Sequence, residues 1–119
     1  TIDPVYEIDG VKYATYVSDF AGGVRMETSG LLTIGQTRKT EIVFNDLEKG
    51  SDLWLFWQAS DKDISKMVVI LTPSFNGKVW YEKQSNGIKI FTDQPGEVSY
   101  RLTMPRKDAN EWPNLLKEN

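Results

Sequence analysis

A two-residue hydrophobic period constrains this chain more than any other feature. Across residues 97–104, Val98, Tyr100, Leu102 and Met104 share one parity, while Glu97, Ser99, Arg101 and Thr103 share the other. Successive side chains of a strand point to opposite faces, so this pattern builds a sheet with one dry and one wet face. The same logic joins Val24, Met26, Leu32 and Ile34 over residues 24–35, with Gly30 as the expected site of a bulge or bend. Ile42 and Phe44 share a face in residues 40–44.

Turn dipeptides punctuate these runs. Asp9-Gly10 separates residues 5–8 from 11–17, and Asn86-Gly87 separates 79–83 from 88–92. Both dipeptides tolerate the two positive φ angles of a type I′ hairpin turn. Asn76-Gly77 and Pro95-Gly96 mark two further reversals. Residues 67–71, Met-Val-Val-Ile-Leu, are apolar on both parities and predict a central strand covered on both faces. Residues 53–57 are ambiguous. A helix capped by Ser51 would group Leu53, Phe56 and Trp57, a strand would group Leu53, Leu55 and Trp57, and the aromatic content favours the strand. The charged stretch 59–66 reads as a loop. The Pro-containing tail, 105–119, reads as an irregular surface wrap or a short helix at 112–117.

The sum is a single all-β domain over residues 1–119, an antiparallel β-sandwich of seven to nine strands or a partly open barrel, with an irregular C-terminal tail. Strand order separates a jelly-roll from an immunoglobulin-like sandwich, and a sequence does not display it. At 119 residues the chain can bury a core without disulfide or metal staples.

Several function classes are disfavoured. The net charge is −3, and the basic residues Arg38, Lys39, Arg101, Arg106 and Lys107 are scattered among acids, which argues against a phosphate-neutralising surface and so against nucleic acid. No run of apolar residues is long enough to insert in a membrane. There is no histidine and no cysteine, which removes the Ser-His-Asp triad, thiolate nucleophiles and the commonest zinc ligands. Ala21-Gly22-Gly23 lacks the Lys and helix of a phosphate-binding loop, and Ser65-Lys66 are adjacent residues that point apart. Paired carboxylates remain open to a chain with 17 acids, but glycosidase work also needs a deep cleft. Asp52, Asp61 and Asp63 could offer oxygen to calcium, yet no Gly and no closing Glu stand at EF-hand positions, so a solvated acidic loop is the better reading. No catalytic, cofactor-binding or metal-ligating residue is assigned. The chain starts at Thr1, with no signal peptide, as a fragment or processed product would.

Four tryptophans and five tyrosines remain. Core packing is the ordinary use of such side chains, but Trp and Tyr also anchor interfaces and stack on sugars. Trp80 lies on the parity opposite Val79 and Tyr81, so one of these aromatics is expected to be exposed or covered by another segment. Trp54, Trp57, Trp80 and Tyr81 are therefore the candidate ligand or interface residues, and Trp112 is expected to clamp the tail.

One pattern spans most of the chain: residues 4–13, 23–30, 50–56, 69–81, 98–106 and 112–114. It contains Leu71-Thr72-Pro73, the turn at Gly77 and the strand Ser99-Tyr100-Arg101. In this order the segments resemble the C-terminal β-domains of large secreted bacterial surface and fibre proteins, akin to phage tail-fibre tips. The motifs are structural and carry no functional residue across. Pro73 would end its strand, and Arg101 would pair with Glu97 or Glu82. The resemblance implies an extracellular or cell-surface location and a non-catalytic structural or adhesive end domain. Its implied partners are further copies, as in a homotrimer, or neighbouring domains of a larger parent protein. The competing expectation is a carbohydrate-binding module that holds a glycan on exposed aromatics.

Overall fold

The strand richest in alternation is also the centre of the fold. In a computed structural model, which describes residues 2–16 and 24–108, that strand runs over Gly96–Pro105 and is the last of eight among the described residues. In chain order they are β1 (Ile2–Ile8), β2 (Val11–Tyr16), β3 (Arg25–Ile34), β4 (Lys39–Val43), β5 (Val68–Pro73), β6 (Val79–Lys83), β7 (Gly87–Thr92) and β8 (Gly96–Pro105). One helix, α1 (Asp52–Ala59), and 3₁₀ turns at Phe44–Asp46 and Ile64–Lys66 lie between β4 and β5.

All pairings are antiparallel. One sheet has the order β3-β8-β5, the second β4-β7-β6, and the β1–β2 hairpin forms a two-stranded sheet of its own. This is a mostly-β, sandwich-type architecture. Its core takes Met26 and Ile34 from β3 and Val98, Leu102 and Met104 from β8. Facing them are Ile42 of β4 and Ile88 and Ile90 of β7. Phe44, Phe56, Trp57 and Ala59 join the core from the first 3₁₀ turn and α1, and Ile64 and Met67 from the second 3₁₀ turn and the residue after it.

Two turn expectations diverge. Asp9 and Gly10 have φ of 53° and 80°, as a two-residue turn between Ile8 and Val11 requires. Asn86 and Gly87 have no positive φ. Gly87 is already the first residue of β7, and the Gln84 amide donates to the Gly87 carbonyl at 2.9 Å, so a longer loop makes the reversal.

Residues 53–57 are helical, which corrects the strand expectation. The Ser51 hydroxyl accepts from the Trp54 amide at 3.2 Å, and Asp52 sits in the first turn, where the helix dipole favours an acid. The cap outweighs aromatic β-propensity. Nor is β5 central: among the described residues it pairs only with β8, Met67 beside it is buried, and Val68 and Ile70 are exposed. Double-sided apolarity here means one partly buried face, with Val69 and Leu71, and one uncovered face. Gly30 makes no bulge, because the β3–β8 register runs unbroken from Arg25 to Ile34. The tail beyond Asp108, including Trp112, and Ala21-Gly22-Gly23 lie outside the described residues.

Candidate interaction surfaces

The four candidate aromatics separate into two kinds. Trp54 and Trp57 are buried, at 8% and 6% relative exposure, which takes both off the surface. Three residues apart on α1, they lie on neighbouring parts of one helix face yet meet different partners. Trp57 stacks on Phe44, with centroids 4.5 Å apart and planes at 12°, inside the core. Trp54 lies outside that core, against Tyr13 of β2 at 5.4 Å. Trp80 and Tyr81, by contrast, are 47% and 39% exposed on the edge strand β6.

The outer face of the β4-β7-β6 sheet is built by register. Lys39, Phe91 and Trp80 form one cross-strand row, and Glu41, Lys89 and Glu82 form the next row on the same face. Trp80 and Phe91 stack with centroids 5.9 Å apart and planes at 15°. Beside them is a shallow depression of about 310 Å³ lined by Thr37, Lys39, Thr40, Glu41, Lys89 and Phe91. An aromatic pair flanked by charged donors and acceptors can offer both a stacking surface and hydrogen bonds.

A second surface lies where the two sheets meet at their β5 and β6 edges. A cleft of about 440 Å³ there is lined by Val69, Ile70, Leu71, Val79, Trp80 and Tyr81. Tyr81 pairs with the buried Ile90 and so has inward parity, but β6 is an edge and leaves the ring half-open. The sequence signal for this seam was the apolar run 67–71; what hid it was the strand order, which makes β5 an edge.

The charged candidates are engaged locally. Lys66 Nζ reaches Asp61 Oδ2 at 3.3 Å, and the Asp63 carboxylate accepts from the Ser65 hydroxyl at 2.6 Å. That hydrogen bond holds the Asp63 carboxyl below its ordinary value. Among the described residues no group of three or more acids gathers around one point. Arg101 pairs with neither Glu97 nor Glu82. Its partner is Glu27, at 3.5 Å, because antiparallel pairing sets Arg101 opposite Ser29 and diagonal to Glu27 on the same outer face. Arg106 is buried and bonded to Asp108, so its guanidinium is turned away from solvent. No helix of the described residues is long and apolar enough to cross a membrane.

Compared with family models, curated proteins and solved structures, the chain matches none.

Proposed function

We propose that this chain is a non-catalytic structural module of a bacterial surface or tail-fibre-type assembly, and that it works by associating with further copies of itself. One observation carries the reading. Six large hydrophobic side chains are exposed among the described residues, and four of them, Val68, Ile70, Trp80 and Tyr81, lie on the adjoining edge strands β5 and β6. Scattered exposed hydrophobes are ordinary, whereas a contiguous apolar patch marks a surface that another molecule covers. The absence of His and Cys, and the motif order of surface and fibre domains, support the same assignment. Light scattering over a dilution series tests it. The expected outcome is an oligomer that holds on dilution, and a monomer at every concentration overturns the reading.

A second reading rests on the Trp80–Phe91 pair and its Lys39, Glu41 and Lys89 neighbours. Such a surface suits a saccharide, whose apolar face stacks on the ring while its hydroxyls bond the charged groups. On a glycan array the wild-type chain is then retained and Trp80→Ala is not. Absence of any retained glycan removes this alternative.

A further inference from the structure

Among the described residues, the two three-stranded sheets leave four outer edges, at β3, β5, β4 and β6, and the hairpin leaves two more. A bare edge is a row of unpaired amides and carbonyls that invites another strand, and proteins defend such edges with charges, prolines or a covering helix. Five of the six carry such a defence. Lys39 and Glu41 stand on β4, Glu82 and Lys83 on β6, Glu7 on β1, and Lys12 on β2. β3 has α1 packed beside it and carries Glu27.

β5 is the exception. From Val68 to Thr72 it reads Val-Val-Ile-Leu-Thr, with no charge, and its only proline is the last residue, Pro73. Val68 and Ile70 face outward at 46% and 49% exposure. Short, uncharged, β-branched segments of this kind are those that pair most readily with another copy of themselves.

Resting on the self-association reading, we propose that β5 is the interface strand: it pairs antiparallel with β5 of a second copy of this chain, joining two β3-β8-β5 sheets into one. Self-pairing needs a single surface, as a two-fold axis requires. It sets apolar side chains against apolar side chains with no like charges opposed. The neighbouring Trp80 and Tyr81 then close over the seam from the second sheet. A glycan does not suit β5, whose exposed side chains offer no charged group.

The test combines two measurements on the full chain. Val68→Lys and Ile70→Lys each place a charge on an exposed position, so the fold is retained, as circular dichroism and a thermal melt will verify. Each is expected to lower the light-scattering mass at least two-fold relative to wild type. The second measurement uses the absence of native cysteine. Residues directly opposite in an antiparallel pair share a face, so a two-fold pairing sets one residue of β5 against its own copy. Single-cysteine variants at each of residues 68–72 are therefore expected to give one position that oxidises to a covalent dimer. If wild type is oligomeric but both lysine variants keep its mass, or no cysteine position crosslinks, β5 pairing is overturned while self-association stands. A trimer likewise excludes the two-fold and leaves self-association intact. A wild-type monomer at every concentration overturns both.

Discussion

Gly30 and Tyr100 are directly opposite each other on β3 and β8, and the glycine exists to make room for the ring. A Cβ at position 30 would lie 2.5 Å from the Tyr100 hydroxyl and 2.7 Å from its Cζ. The sheet thereby keeps regular pairing over a residue that otherwise weakens strands, because the aromatic covers the bare backbone. Gly30→Ala is expected to cost about 1–3 kcal/mol by overpacking. In a Tyr100→Ala background the same substitution is expected to cost much less, and urea denaturation of the four variants measures the coupling. An equal cost in both backgrounds would show that the ring is not what reserves the space. Burial also raises the Tyr100 pKa, and the nearby Asp52 carboxylate adds to the effect. The sign follows: folding favours the neutral phenol, so this contribution is complete below about pH 10, the ordinary tyrosine value, and is lost as pH rises through the higher folded value.

Elements were legible to different depths, for physical reasons. β3, β8 and the Asp9-Gly10 turn follow from local rules, since alternation and positive φ depend on neighbours in sequence. The helix α1 is also written locally, in Ser51 and in the Leu53, Phe56 and Trp57 spacing, but the aromatic content of the same residues points to a strand, a weaker and more context-dependent preference than a cap hydrogen bond. β5 could not be placed from its own residues. An apolar strand in the middle of a sheet and an apolar strand at its edge read alike, and only the pairing order tells them apart. The candidate surface shows the same division. Alternation separates Trp80 from Tyr81, whereas the meeting of β5 and β6 is a consequence of long-range topology. Arg101 shows the limit in one residue: its outward face was predictable, but its partner Glu27 lies 74 positions away in sequence and follows from the β3–β8 register.

At the scale of the whole chain, the β1–β2 hairpin is a sheet of its own beside the sandwich. An isolated two-stranded hairpin is marginal in water, so its stability has to come from contact with the body. Among the described residues, three side chains near its turn make such contacts. Ile8 and Tyr13 pack on the core, Tyr13 rests on Trp54, and Asp9 pairs with Lys49 at 3.2 Å. The ion pair is exposed on both sides and contributes little, so among these contacts the apolar ones of Ile8 and Tyr13 carry more. The same helix that sends Phe56 and Trp57 into the core sends Trp54 to the hairpin, so α1 couples the two sheets. Trp54→Ala should therefore act locally. Hydrogen exchange followed by mass spectrometry is expected to show hairpin amides over residues 7–12 exchanging about tenfold faster or more, with a smaller change in the central strands β7 and β8. Equal acceleration throughout would mean that Trp54 supports the sandwich as a whole, and unchanged hairpin exchange would mean that the Tyr13 contact does not hold the ribbon.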